Sequence, residues 1–322
     1  MAASALTMNP PAAAPAFLDA HGWGGAQILP LAGDASFRRY FRAVLGGKTA
    51  VLMDAPPAHE DSRPFLAVAD HLQDLGFAAP KVIARDLVQG LILLEDFGDD
   101  RMAEVIATDP ARETPIYGAA IDLLRDLHRH KAGPLPAYNM AVYQREAALF
   151  PEWYMPAVGL AVPGGYEEAW QDALAPITVT PAVTVLRDYH AENIMLLQDG
   201  SLGLLDFQDA LAGHPAYDLV SLLQDARRDV SPDLEAAMLN RYGPIDDAAY
   251  ALLGAQRNIK ILGIFTRLWK RDGKPRYLSY QSRVWAYLER DLAHPALAPV
   301  KQWMDGAVPP NMRGEFWQGF QP

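Results

Sequence analysis

Cysteine is absent from the 322 residues, which excludes disulfides, thiolate metal sites and cysteine nucleophiles. Positive charge is scarce: 28 Lys and Arg stand against 39 Asp and Glu, a formal net charge of −11. A nucleic-acid footprint needs a basic face, so no nucleic-acid partner is expected. Long apolar runs are missing as well. The longest uncharged stretch in the middle, Trp153 to Tyr166, is too short to span a bilayer and contains Pro156 and Pro163. No membrane partner is expected. The N-terminus has neither a basic start nor an unbroken apolar run, so it is a poor signal peptide. Pro10, Pro11 and Pro15 among alanines read as a disordered tail over residues 1–16. A cytoplasmic location is the expectation, and no internal repeat or heptad run speaks for an oligomeric state.

What is present is a globular composition, 50% hydrophobic and 21% charged, in a chain long enough for roughly two domains. The first part alternates like strands: Ala26–Leu31, Phe37–Leu45 and Thr49–Met53. Gly33-Asp34 breaks the first pair and Gly46-Gly47 the second, each as a hairpin turn. A helix follows with Asp61 or Ser62 as its cap. Phe65, Val68, Leu72 and Leu75 form its apolar stripe, and Gly76 stops it. Two further strands, Lys81–Ala84 and Gly90–Glu95, complete five strands around one helix. After Gly98 the pattern turns helical, with Thr114 as a cap and Pro115 at the first helical position. Tyr143–Phe150, Tyr166–Leu174 and most of Asp218–Leu292 also read as helix. Short strands are expected at Val183–Leu186, Ile194–Leu197 and Leu202–Leu205. The expected division is a first domain over 17–97 and a second over 98–322, with the boundary in Glu95–Asp100.

The strongest constellation of polar residues lies in the second part. Asp188 and Asn193 are separated by four residues, the spacing of the kinase catalytic loop, and an apolar hairpin then leads to Asp206-Phe207. The spacing has a chemical reason. A carboxylate must stand beside an acceptor hydroxyl, while an amide oxygen returns to a metal on the other side of the transferring phosphoryl group. The second carboxylate, delivered by the hairpin, bridges Mg²⁺ to the β- and γ-phosphates, and few hard oxygen ligands suit that ion. A polar turn between two strands is the alternative for Asp-x₄-Asn alone; the added Asp-Phe after an apolar hairpin decides for function.

With His190 inside it, the run Asp188 to Asn193 resembles the Asp-x-His-x-x-Asn loop of the aminoglycoside phosphotransferase and choline kinase superfamily. Asp206 to Asp209, Gly213, Pro215 and Asp218-Leu219 resemble that superfamily's metal loop and following helix start. Four segments are similar, more narrowly, to the bacterial N-acetylmuramate/N-acetylglucosamine anomeric kinases of cell-wall recycling: Gly33 to Arg42, Val51 to Pro57, Leu149 to Tyr154, and Lys260 to Leu268. The resemblance covers nearly the whole chain. It implies an α+β, two-lobed protein-kinase-like fold, with a five-stranded antiparallel N-lobe plus helix and a mainly α-helical C-lobe. It also implies ATP- and Mg²⁺-dependent phosphorylation of the sugar C1 hydroxyl to the α-1-phosphate. In that reading Asp188 is catalytic, and Asn193 and Asp206 hold the metal.

Two positions depart from the wider kinase pattern. Leu186 stands where many relatives have a structural His. Met53 stands on the third strand where kinases place the lysine that pairs with the phosphates. Arg38, Arg39 and Arg42 are the candidate replacements, and strand alternation puts Arg38 and Arg42 on one face and Arg39 on the other. Gly33, Asp34, Ala35 and Ser36 are expected to cover the phosphates with backbone N–H groups. Glu95, Asp96 and Phe97 end a strand at the expected adenine position.

For the sugar, Glu146, Trp153 and Tyr154 precede the catalytic strands, and aromatics there either stack on an acetylated sugar or pack in the core. His190 and Glu192 either reach substrate hydroxyls or, for His190, pack beneath the loop. The segment Arg257–Arg290 carries nine cations against Asp272 and Glu289. Arg257, Lys260, Arg267 and Arg271 share one helical face, which is either solvated or meets the lactyl carboxylate of N-acetylmuramate, with Arg267 as the candidate. The competing readings are a kinase of another small alcohol, such as an aminoglycoside, choline or homoserine, and a non-catalytic nucleotide-binding pseudokinase. Met53 is the only support for the last.

Overall fold

A computed structural model describes residues 9–31, 37–177 and 182–318. In chain order the elements are α1 (Ala14–Ala20), β1 (Gln27–Pro30), β2 (Arg39–Leu45), β3 (Lys48–Asp54), α2 (Arg63–Asp74), β4 (Val82–Asp86), β5 (Leu91–Glu95), α3 (Met102–Thr108), α4 (Glu113–Leu127), α5 (Met140–Ala147), a π-turn (Phe150–Tyr154), α6 (Met155–Ala157) and α7 (Tyr166–Leu174). Then come β6 (Val183–Val185), β7 (Ile194–Leu196), β8 (Leu202–Leu204), β9 (Leu211–Gly213), α8 (Ala216–Leu223), α9 (Pro232–Tyr242), α10 (Asp247–Lys270), α11 (Gln281–Leu292) and α12 (Ala298–Ala307). Among the described residues no helix is long and apolar enough to cross a membrane.

The chain divides into two compact units: residues 1–104 with 193–209, and residues 105–192 with 210–322. The first unit is built on a five-stranded antiparallel sheet in the order β1-β2-β3-β5-β4. Gly46 and Gly47 both take positive φ, as a two-residue hairpin turn requires, and so pair Leu45 with Lys48. That register sets Phe41 opposite Leu52 and Leu52 opposite Leu93, with Ala43 opposite Ala50 on the same face. These side chains pack with Phe17 and Leu18 of α1 into one buried cluster. The helix α1 begins at Ala14, so the tail expected through residue 16 ends in an ordered helix. Pro15 falls in its first turn, where no N–H is needed. Met53 and Ile92, paired across β3 and β5, alternate to the opposite face and are equally buried.

The hairpin β7-β8 belongs to this unit rather than to the later residues that flank it. Leu196 N–H donates to Asp100 O at 2.8 Å and Leu204 N–H to Ala78 O at 2.8 Å. Gly203 lies under the ring of Phe97, where a Cβ would come within 2.7 Å of ring carbons. The helix α2 is capped by the Asp61 carboxylate, which accepts from Arg63 N–H at 3.0 Å, whereas Ser62 makes no cap bond.

The second unit is organised around α10. Its 24 residues span roughly 36 Å at an α-helical rise and are buried on most sides. Phe150, Trp170, Leu262, Trp285 and Leu288 are part of the core around it. The π-turn follows from Pro151, which has no N–H for the Ala147 carbonyl four residues back. Tyr166 Oη donates to that carbonyl instead, at 2.7 Å. The helix expected to start behind Thr114 starts at Glu113, because a 3₁₀ turn over Pro110–Arg112, capped by Asp109, feeds directly into it. A strand absent from the sequence reading, β9, pairs antiparallel with β6.

Candidate active site

In the first unit, Asn193 opens onto β7 and Asp206 follows β8, so the hairpin brings the two side chains together. Asn193 Nδ2 lies 3.4 Å from Asp206 Oδ2, and Gln208 Nε2 donates to Asp206 Oδ1 at 2.7 Å. Asp206 has φ 57°, a strained value for a residue with a Cβ. Phe207 is buried and stacks on Phe65 of α2 at 5.2 Å, fixing the turn from below. A carboxylate and an amide, both able to offer oxygen, with no sulfur or imidazole, fit Mg²⁺, which takes few protein ligands and keeps waters. Asn193 would present its amide oxygen by a rotation of the amide. Gln208, which orients the Asp206 carboxylate, is not disclosed by the Asp-Phe pattern.

The three candidate arginines separate by their partners. Arg39 pairs with Asp54, directly opposite it on β3, Nε to Oδ2 at 2.8 Å. Arg42 pairs with Asp96 at 2.7 Å and with Asp99 at 2.8 Å, and so ties down the chain after β5. Arg38 is buried, pairs with Glu60 at 3.2 Å, and has Asp206 among the groups that favour its charge. Of the three, Arg38 is the one with the candidate metal carboxylate within its electrostatic reach. Glu95 Oε2 accepts from Lys81 N–H at 3.3 Å. Phe97 packs on Gly203 as described above. Gly33, Asp34, Ala35 and Ser36 lie outside the described residues.

In the second unit, Asp188 follows β6 at the end of a turn that several partners hold in place. Arg187 has φ 69°, and its strain is countered from every side. Asp218 at the start of α8 accepts from Leu186 N–H at 2.7 Å and from Arg187 N–H at 2.8 Å. Ser221 Oγ donates to Arg187 O at 3.0 Å. The Arg187 guanidinium pairs with Glu146 and lies over the ring of Tyr138 at 5.7 Å. Tyr189 Oη donates to Ala120 O at 2.9 Å, anchoring the next residue to α4. Burial pushes the Asp188 carboxyl up, but neighbouring cations outweigh it and hold its pKa below the ordinary value. Lys260, Arg257 and Arg187 carry that effect, since burial and Arg227 lower His190 to about 4 and leave its ring neutral at pH 7. Asp188 is therefore an ionised hydrogen-bond acceptor. Asp218 is opposed by burial, which pushes it to about 7 against the pull of its two N–H donors.

Several expected sugar contacts have other duties. Glu146 is buried, with Lys260 at 3.1 Å and Arg187 on Oε1, and Gln256 at 3.2 Å and the Tyr138 hydroxyl on Oε2. It is the hub of a buried ion network and has no lone pair to spare for a sugar, which corrects its assignment. Tyr154 is fully buried. Its hydroxyl donates to Met312 O at 2.7 Å and accepts from Trp285 and Trp317, so it is core and not a stacking platform. His190 is buried, and its Nε2 accepts from Arg227 at 3.2 Å, so it supports the loop from within. Glu192 pairs with the same arginine at 3.0 Å but keeps an exposed side. Trp153 is partly exposed. The basic face of α10 is not a solvated one at its beginning: Arg257 and Lys260 are buried, while Arg267 is partly buried and has Glu152, Arg271 and Asp272 as its charged neighbours. The supports Asp218, Ser221 and Tyr189 were not singled out for that task, because nothing in local spacing reveals partners 31 to 69 residues apart.

Comparison with known proteins bears on this geometry. Residues 27–253 match the phosphotransferase enzyme family. A protein of Caulobacter vibrioides named N-acetylmuramate/N-acetylglucosamine kinase is 39% identical, over 96% of this chain and 99% of its own. One of the same name from Pseudomonas aeruginosa is 39% identical over 89% of this chain and 91% of its own. Among solved structures, choline kinase LicA from Streptococcus pneumoniae superposes with a TM-score of 0.60 at 16% identity, covering 84% of this chain and 93% of that one. The gentamicin complex of APH(2″)-IIa superposes with a TM-score of 0.63 at 12% identity, covering 90% and 99%. These likenesses establish the two-lobed protein-kinase-like fold.

Proposed function

Because the chain belongs to the phosphotransferase enzyme family, we propose that it is an ATP- and Mg²⁺-dependent sugar kinase acting on the anomeric C1 hydroxyl of N-acetylmuramate and N-acetylglucosamine. The observation that carries the reading is the turn at Asp188: a strained backbone, fixed by Asp218, Ser221 and Glu146, that presents an ionised carboxylate. The relatives' shared name supplies the acceptor. In the proposed reaction the C1 oxygen forms a bond to the γ-phosphorus and the bond from that phosphorus to the β,γ-bridging oxygen breaks, giving ADP and the α-1-phosphate. Asp188 accepts a hydrogen bond from the C1 hydroxyl and takes its proton as the new bond forms. The anomeric hydroxyl is more acidic than an ordinary alcohol, so a carboxylate of low pKa suffices. Asn193 and Asp206 hold the metal, which when bound neutralises charge on the β- and γ-phosphates.

Arg38 takes the place of the lysine missing at Met53. It is buried, oriented by Glu60 and within electrostatic reach of Asp206, while Arg39 and Arg42 are committed to neighbouring carboxylates. Glu95 to Phe97 and the Gly33–Ser36 segment complete the nucleotide contacts, and Trp153 and Glu192 the sugar contacts. A cytoplasmic role in recycling cell-wall sugars fits such a product.

The test is Mg²⁺-dependent ATP turnover against N-acetylmuramate, N-acetylglucosamine, glucose, choline and kanamycin, with products read by phosphorus NMR. An acid-labile α-1-phosphate of the two acetylated sugars is expected. Phosphorylation of choline or kanamycin alone would replace the substrate assignment. Asp188→Asn should lower kcat by at least about 100-fold while ATP still binds, and near-normal turnover in that variant would overturn the role of Asp188.

A further inference from the structure

Arg257, on α10 one turn before Lys260, is 4% exposed, and its Nη1 is buried without a hydrogen bond. The other cations around the Asp188 turn each have an anion of their own. Lys260 and Arg187 share Glu146, and Arg227 has Glu192. Arg257 has no ion pair or hydrogen bond among the described residues, yet Asp188, His190 and Asp218 all lie within its electrostatic reach. A buried guanidinium without a partner is costly, and such a group is retained where a ligand supplies the missing anion.

We propose that Arg257 binds the carboxylate of an acidic acceptor sugar and so makes this enzyme favour N-acetylmuramate over its neutral counterpart. The inference rests on the proposed function and deepens it. Two considerations locate the anion on the acceptor. Arg257 belongs to the same unit as Asp188, which the proposed reaction sets against the acceptor hydroxyl. The cation proposed for the nucleotide, Arg38, is in the other unit with Asp206. The lactyl carboxylate of N-acetylmuramate hangs from C3, two ring carbons from the reacting C1, so its receptor must stand close to Asp188. Arg267, the candidate from the sequence, is ten residues further along α10, about 15 Å of helix rise away from Arg257. Its charged neighbours are also different ones.

The experiment measures kcat and KM for both acetylated sugars with wild-type enzyme, Arg257→Met and Arg257→Lys. Removing a charge-assisted, two-pronged interaction from a buried site weakens binding roughly 10- to 100-fold. Arg257→Met should raise KM for N-acetylmuramate by that factor over any change in KM for N-acetylglucosamine, because its electrostatic effect on Asp188 falls on both sugars alike, with Arg257→Lys in between. A substrate-side probe is independent of whether the variants fold: wild-type enzyme should handle the methyl ester of N-acetylmuramate as poorly as Arg257→Met handles the acid. Equal losses on both sugars, or an ester as good as the acid, would overturn the inference and leave the functional reading standing. Wild-type enzyme inactive on both sugars would overturn both.

Discussion

Replacing Glu146 by Gln isolates the charge of the buried hub. The side chain keeps its shape, but Arg187 and Lys260 lose their shared counter-ion. The structure gives a magnitude. Burial pushes Glu146 up, yet Lys260 and Arg187 prevail and bring its pKa from the ordinary 4.5 to about 2. That difference, at about 1.4 kcal/mol per unit, is about 3 kcal/mol of stability at pH 7. For a unit of this size it corresponds to roughly 6 to 12 °C in Tm. The sign follows from a depressed carboxylate. The contribution is full above the unfolded-state pKa and declines as pH falls through 4.5 towards 2, reaching about 2 kcal/mol at pH 3.5. Thermal melts of the wild type and Glu146→Gln from pH 7 to pH 3.5 should therefore show a gap that narrows by about a third. Because Arg187 sits at φ 69° immediately before Asp188, the same variant should lose kcat without a matching change in KM for ATP. A gap of under about 1 kcal/mol at pH 7, or one that does not narrow with acid, would refute the assignment of Glu146 as an ionised hub.

Three other outcomes follow from named contacts. Arg38→Met should raise KM for ATP by roughly 10- to 100-fold, while Arg39→Met and Arg42→Met act mainly on stability; similar KM changes in all three would remove Arg38's special position. Asp291 is held by Gln224 and Asn258 at 3.0 and 3.2 Å, but burial dominates and raises its pKa to about 8. A raised carboxyl favours the fold below pH 4 and loses that advantage as pH climbs to about 8, so Asp291→Asn should flatten the fall in Tm between pH 5 and pH 8. A variant with the wild-type pH slope would contradict this. Gly263→Ala would drive a Cβ to 2.4 Å from the Leu149 backbone, and overpacking there should cost about 1 to 3 kcal/mol in chemical denaturation.

The sheet was legible because its signals are local. Gly46-Gly47 dictates a tight hairpin, and the alternation on either side then sets which residues meet. The helix α1 was not legible: three prolines among alanines look like a solvated tail, and only the burial of Phe17 and Leu18 against the sheet makes seven residues helical. The strand β9 is three residues long and exists through its partner β6, far back in the chain. The π-turn is implicit in Pro151, but its consequence, a Tyr166 hydroxyl standing in for a missing backbone donor, depends on a residue fifteen positions later.

The same contrast governs the candidate site. Asp188, Asn193 and Asp206 were proposed from spacing, and the β7-β8 hairpin brings the last two side chains together. Glu146 and Tyr154 were misassigned for the complementary reason. Sequence shows that a carboxylate and an aromatic lie near the catalytic strands, but not that their polar atoms are already engaged. Once Lys260, Arg187, Gln256 and Tyr138 are placed on Glu146, its role changes from holding substrate to holding the turn that presents Asp188. The converse holds for the cations of α10. Lys260 and Arg257 occupy neighbouring turns of one helix and look interchangeable in the sequence. Glu146 answers the first with an ion pair, while the second has no hydrogen bond or ion pair among the described residues. That asymmetry marks Arg257, and not the basic face as a whole, as the residue whose partner is to be sought in the substrate.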